Sequence, residues 1–264
     1  MSRFPAIFQT CRAAGRKALI AFASAGAPDM ESSEKAMGVM LENGADILEI
    51  GVPFSDPTAD GTVIQKASQI ALQSDVTLHD VLALAERLRR RFPDKGLVIF
   101  SYYNVIFRMG ADDFARRAAA AGVDGVLVVD LPFEESAELR PALEQHGLDR
   151  ITLVSPLTGP ERLQTLLADA KGFVYYIMQL GVTGVRKSIP DGAAEKLDAL
   201  RAVSPVPVAA GFGIGSYETA RAAACHADGV ISGSALVRLQ LQSDFPGIAR
   251  LTRELARGCT PHEP

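Results

Sequence analysis

Residues 48–61 read LEIGVPFSDPTADG, placing one carboxylate inside an apolar run and a second on the loop that follows. Side chains alternate along a strand, so Ile47, Glu49 and Gly51 share one face, Leu48 and Ile50 the other, and Val52 prolongs the apolar run. Glu49 is therefore expected to be buried. Burial without a cation opposes ionisation and raises a carboxyl pKa, which suits a group that must donate and accept a proton near neutral pH. Asp60, on a Pro-rich loop, is expected to stay charged. The two read as an acid/base pair. The competing reading is a buried glutamate in a structural hydrogen-bond network beside an aspartate that orders a turn.

A second chemical signal lies near the end of the chain. Gly211-Phe212-Gly213-Ile214-Gly215 and Ser232-Gly233-Ser234-Ala235 each follow an apolar run, and the latter opens a helix. Glycines let a phosphate approach backbone N–H groups, and a helix N-terminus with a serine hydroxyl adds donors, so Gly213, Gly233 and Ser234 are candidate phosphate ligands. The Gly-x-Gly-x-Gly run is not a dinucleotide fingerprint, since it follows a late strand and lacks the expected acidic partner; no GxxxxGK[ST] occurs. Between these signals and the acids lies GVTGVRKSIPDG, residues 181–192. It is a polar loop bracketed by glycines and suited to closing over a ligand.

The elements that must position these groups alternate. Short β-branched runs at 18–23, 47–51, 97–102, 125–129, 151–154, 173–177, 206–209 and 229–231 predict strands. Amphipathic segments at 29–42, 77–91, 111–121, 134–145, 160–170, 192–203, 217–224 and 244–257 predict the helices after them, with extra helices at about 3–14 and 62–74. Eight such units predict a (β/α)8 TIM barrel in one domain spanning 1–264, with 259–264 a frayed tail. The barrel gathers function at the strands' C-terminal ends, where Glu49, Asp56, Asp60, Asn104, Asp130 and Ser155 converge. Asn104 and Asp130 are expected to hold the second loop by hydrogen bonds.

Composition narrows the field. With 264 residues, 48% hydrophobic and a net charge of -4, the chain has a large core and no field for nucleic acid. The arginine run at 89–91 reads as a solvated helix end. Cys11, Cys225 and Cys259 are scattered and suggest neither a zinc site nor a disulfide framework, so no metal is expected and a reducing cytoplasm fits. No apolar run reaches the ~18 residues of a membrane span.

The stretch LEIGVPFSDPTADGTVIQ, ending at Gln65, closely resembles the signature of the tryptophan synthase alpha chain family. The resemblance continues in Tyr102-Tyr103-Asn104, in VVDLP at 128–132, in GVTG at 181–184, in GFGI at 211–214 and in Ser232-Gly233-Ser234. It implies cleavage of indole-3-glycerol phosphate to indole and glyceraldehyde 3-phosphate, with Glu49 moving protons and Asp60 stabilising charge at the ring nitrogen. It further implies that Thr183 touches the acidic loop on lid closure and that Gly184 joins the phosphate donors. Phe22, Phe100, Leu127, Phe212 and Ile231 are expected to form the indole pocket, with the Tyr175 hydroxyl near Glu49. The implied partner is a beta chain carrying pyridoxal phosphate, in an alpha2-beta2 tetramer, with no cofactor in this chain. The sequence departs from the family pattern at Thr58 (usually Leu), Thr62 (usually Pro), Ala27 (usually Asp) and Met178-Gln179 before the lid. Two alternatives stay open: a free-standing lyase that releases indole to another pathway, and a non-catalytic regulatory barrel.

Overall fold

The computed structural model describes residues 2–178, 190–211 and 213–260. The lid segment with Thr183 and Gly184, together with Gln179, Phe212 and the last four residues, therefore lies outside the described residues. The elements are α1 (Phe4–Ala13), β1 (Ala18–Ser24), α2 (Met30–Glu42), β2 (Ile47–Gly51), α3 (Thr62–Gln73), α4 (Leu78–Arg91), β3 (Gly96–Ser101), α5 (Tyr103–Met109), α6 (Ala111–Ala120) and β4 (Gly125–Val128). They continue as α7 (Leu139–Gln145), β5 (Asp149–Arg150), β6 (Thr152–Val154), α8 (Pro160–Ala168), β7 (Val174–Ile177), α9 (Ala193–Val203), β8 (Val208–Gly211), α10 (Tyr217–Ala224), β9 (Gly229–Ser232), α11 (Ser234–Leu241) and α12 (Phe245–Gly258).

All the strand pairings are parallel, in the order β5-β4-β3-β2-β1-β9-β8-β7-β6. The two ends of that list adjoin in the chain at Ile151, whose N–H bonds to the Val126 carbonyl at 2.9 Å. The expected strand at 151–154 is thus one barrel strand split in two: β5 pairs with β4 and β6 pairs with β7. The architecture is the predicted (β/α)8 barrel.

Local differences have identifiable causes. The helix expected at 134–145 divides into a single 3₁₀ turn at Phe133–Glu135 and then α7. Pro141 lacks the N–H that a continuous helix would use there, and within α7 it stands in the first turn, where none is needed. The β8 ladder begins at Val208 rather than at 206, because Pro207 cannot donate to it. The short helix α5, absent from the prediction, fits between Tyr102 and Gly110, the latter at φ +90°.

Alternation sorts the strand residues into two cores. Outward-facing Leu19, Ala21, Leu48, Ile50, Leu97, Ile99 and Val126 pack under the helices. Inward-facing Ile20, Ile47, Val98, Leu127, Ile151, Phe173 and Ile231 fill the barrel, and Phe4, Ile7, Phe8 and Cys11 of α1 close its lower end. Phe4 meets Phe173 edge-on, with ring centroids 5.4 Å apart.

A recurrent aspartate stands just before a strand and caps the start of its neighbour. Asp46 accepts from the Leu19 N–H at 2.9 Å, Asp124 from Leu97 at 2.9 Å and Asp228 from Val208 at 3.0 Å. Each also holds an arginine: Arg16 on Asp46, Arg3 and Arg89 on Asp124, Arg201 on Asp228. Arg89 therefore corrects the reading of 89–91 as a solvated helix end. Its side chain is 11% exposed and turns inward, while Arg90 and Arg91 pair at the surface with Glu86 and Glu42.

These caps predict a stability effect separated from the upper face. Asp124→Ala leaves Arg89 and the Leu97 N–H without their carboxylate and should cost roughly 3–5 kcal/mol in urea unfolding. Binding of substrate by the folded fraction should be unchanged. A loss below about 1 kcal/mol, the scale of an exposed pair, would contradict the assigned role.

Candidate active site

Glu49 faces into the barrel between its register partners Phe22 on β1 and Val98 on β3. It is 1% exposed, and its Oε1 has no hydrogen-bond partner among the described residues. Burial pushes its carboxyl from 4.5 up to about 8, with no cation opposing the shift. The side chain is accordingly a protonated acid near neutral pH.

Asp60, expected to stay charged on its Pro-rich loop, is only 4% exposed. The loop from β2 folds back on itself: the Thr58 N–H bonds to the Asp56 carbonyl at 2.8 Å, and the Asp60 N–H to that of Pro57 at 3.1 Å. Tyr102, at the end of β3, clamps it. The Tyr102 hydroxyl donates to Asp60 Oδ2 at 2.9 Å and accepts from the Ala59 N–H at 3.0 Å, while Phe54 stacks on its ring at 4.7 Å. Burial pushes the Asp60 carboxyl up to about 6, and donation from Tyr102 draws it down. Asp60 thus stays mainly ionised at neutral pH, as expected, through a specific phenol rather than through solvent. Tyr102 was visible in the sequence only as part of the Tyr102-Tyr103-Asn104 run, with no role attached.

Both acids line one cavity above the barrel core, with Phe22, Phe100, Ile64, Val129, Leu153, Ile177 and Ile231 as its apolar wall. Phe22 and Phe100 meet edge-on at 5.0 Å. Two strand-end glycines make room for this wall. A Cβ on Gly51 would lie 2.5 Å from Phe22 Cζ, and one on Gly211 2.5 Å from the Tyr175 hydroxyl. Tyr175 lines the same cavity and stays a neutral phenol, its pKa raised by burial and then by the nearby Glu49 and Asp60.

Leu127 is a correction. It is in register with Phe100 yet fully buried in the barrel core, and Val129, two residues on, reaches the cavity instead. Tilted strands stagger, so residues of one register row sit at different heights along the barrel axis.

Of the other polar strand ends, none of Asp56, Asn104, Asp130 or Ser155 lies on the cavity wall. Asp130 accepts the Tyr103 N–H at 2.7 Å and so anchors the start of α5 rather than the second loop. Asn104 is exposed on α5. Ser155 makes a local turn, its N–H bonding to Thr158 Oγ1 at 3.1 Å.

Gly213, Gly233 and Ser234 line the cavity as well. Gly213 has φ +81°, a left-handed turn open to glycine, and Ser234 is the first residue of α11. The Ser232 hydroxyl donates to the Ile214 carbonyl at 2.8 Å and locks the two turns together. A helix start beside a glycine turn is a site for an anion. Among the described residues no three His, Cys, Asp or Glu side chains are grouped to hold a metal.

The raised pKa of Glu49 predicts a pH-dependent stability. Between its unfolded value of 4.5 and its folded value of about 8 the native chain holds a proton that the unfolded chain has lost. Stability therefore falls as pH rises through that window. Asp60 acts in the same sense over a lower range, so comparison with Glu49→Gln isolates the glutamate. The variant should gain on the wild type steadily from about pH 5 to about pH 8 in urea unfolding; a constant difference would contradict the burial of an ionisable group here.

The family model for the tryptophan synthase alpha chain matches residues 8–259. A tryptophan synthase alpha chain of Geobacter sulfurreducens is 44% identical over 239 residues, 90% of each chain. One of Chromobacterium violaceum is 46% identical over 245 residues, 92% of this chain and 93% of that one. Among solved structures, Mycobacterium tuberculosis tryptophan synthase superposes with a TM-score of 0.91 at 42% identity, covering 98% of both chains. The tryptophan synthase subunit alpha of Legionella pneumophila does so at 0.87 and 32% identity, again over 98% of both. Both sequence and fold lead to one conclusion: the chain belongs to the tryptophan synthase alpha chain family.

Proposed function

We propose that this chain is a carbon–carbon lyase that cleaves indole-3-glycerol phosphate to indole and glyceraldehyde 3-phosphate through Glu49 and Asp60, the whole chain acting as one catalytic domain. One observation carries the residue roles. A carboxyl held protonated by burial and a carboxylate held ionised by a phenol line the same apolar cavity.

Glu49 starts as the acid and protonates C3 of the indole, leaving positive charge spread to the ring nitrogen. Asp60 accepts the ring N–H hydrogen bond and stabilises that charge, an electrostatic effect strengthened by the exclusion of water. The Glu49 carboxylate so formed takes the proton from the side-chain hydroxyl. The bond from C3 to the side chain then breaks, its electron pair neutralises the ring, and the hydroxyl carbon becomes the aldehyde. Glu49 ends as it began, protonated. Phe22, Phe100, Ile64 and Ile231 hold the indole, and Gly213, Gly233 and Ser234 the phosphate. The lid residues Thr183 and Gly184 enter the proposal through the family resemblance alone.

In the family the alpha chain is the subunit without pyridoxal phosphate, and it normally pairs with a beta chain. For this chain the proposed docking face is the surface cleft between the β2–α3 loop and α3, lined by Phe54, Asp56, Pro57, Thr58, Gln65 and Gln69. A beta chain that binds the closed state better would activate the lyase by population shift. Thr58 is exposed in this cleft where an apolar residue is usual.

Two outcomes test the proposal. The pH profile of kcat/KM should be bell-shaped, rising through about 6 as Asp60 ionises and falling through about 8 as Glu49 loses its proton. Glu49→Gln should lower cleavage by at least roughly 10²–10⁴-fold while substrate still binds, and Asp60→Asn should lose most activity too. A Glu49→Gln variant with near-normal turnover would remove the assignment. For the partner, Thr58→Leu should tighten association with a beta chain from a typical family member by about tenfold, read by titration of the activated rate. Unchanged affinity would move the docking face elsewhere.

A further inference from the structure

The sheet is interrupted where the anion turn begins. β9 ends at Ser232, and Gly233 carries the chain out of the sheet into α11. β1 runs further. Its pairing with β9 stops at Ala21 opposite Ser232, while its pairing with β2 continues to Ser24 opposite Gly51. Among the described residues no strand covers the β9-side edge at the end of β1, and it is buried, where an unpaired peptide group is costly.

Gln240 covers that edge. It lies on α11, six residues and about 9 Å along the helix from Ser234, and is 0% exposed. Its Oε1 accepts the Ser24 N–H at 3.2 Å, and its Nε2 donates to the carbonyls of Ser24 and Ala27, both at 2.6 Å. Both amide hydrogens are used, and the side chain bonds Ser24 on both its N–H and its C=O as a neighbouring strand would. Val237 of the same helix packs with Phe22, Ala27, Ile64 and Ala67, an apolar contact on the indole side that does not depend on the amide.

We propose that Gln240 is a positioning residue for the phosphate turn: its amide replaces the missing rung of β9, and by doing so fixes α11 at the height that brings Gly233 and Ser234 to the cavity. Methionine at this position would fill the same space and leave Ser24 and Ala27 unpaired, freeing α11 to shift. Effects should then fall on the phosphate end of the substrate, since Glu49 sits on β2 and the Asp60 loop is clamped by Tyr102 after β3. The inference rests on the phosphate site proposed above.

The test measures, on the full chain, calorimetric affinities for glyceraldehyde 3-phosphate, glyceraldehyde and indole, together with kcat and KM. Gln240→Met should weaken glyceraldehyde 3-phosphate about tenfold and raise KM for indole-3-glycerol phosphate similarly, with indole affinity and kcat held within about twofold. If that variant does not fold, Gln240→Glu keeps the acceptor for Ser24, retains at most the one donor of a carboxyl held protonated by burial, and is read the same way. Unchanged affinity for glyceraldehyde 3-phosphate, or equal weakening of it and indole, would reduce Gln240 to a structural prop and overturn the proposal. A wild type that binds glyceraldehyde as tightly as its phosphate would instead remove the phosphate site, and the proposal with it.

Discussion

An acid sealed in hydrocarbon organises this molecule. Glu49 occupies a strand position that barrel packing reserves for an apolar side chain, and its Oε1 meets no donor among the described residues. The fold tolerates it by leaving the proton on. That solution requires dryness below and beside the carboxyl. Phe4, Ile7 and Phe8 of α1 plug the lower end, and Phe22 and Val98 flank the side chain in register. Removing water is what turns an ordinary carboxylate into an acid at neutral pH.

The two ends of the barrel divide the work. At the lower end the aspartates Asp46, Asp124 and Asp228 each spend acceptors on a strand N–H and an arginine, an arrangement that serves the strand starts. At the upper end the ladders stop early and side chains take over from the backbone. Tyr102 bonds both the amide and the carboxylate of the Asp60 loop, and Gln240 bonds the end of β1. This exchange leaves turns such as Gly233-Ser234 free to face a ligand while the strands behind them stay hydrogen-bonded.

Much of this was legible in the sequence, because it follows from local pattern. Alternation around Glu49 foretold its burial, and the eight apolar runs with their helices foretold the barrel. What escaped depends on contacts between distant segments. The burial of Asp60 and its phenol depend on a residue 42 positions away, and the crossbar from Gln240 spans 216. The misplacement of Leu127 has a different origin. Alternation says which face a side chain takes, but its height in the barrel comes from strand stagger, which no single strand reveals. Arg89 was misread likewise, since nothing in a run of three arginines marks the one whose partner, Asp124, lies 35 positions further along the chain.

The central claim is that Glu49 carries its proton at neutral pH before any ligand arrives. Infrared difference spectroscopy between the wild type and Glu49→Gln reads this directly, through the carbonyl stretch of a protonated carboxylic acid. The account predicts that this band is present in the wild type at neutral pH, absent in the variant, and lost from the wild type as pH rises through about 8. A wild-type spectrum that shows only carboxylate at neutral pH would contradict it.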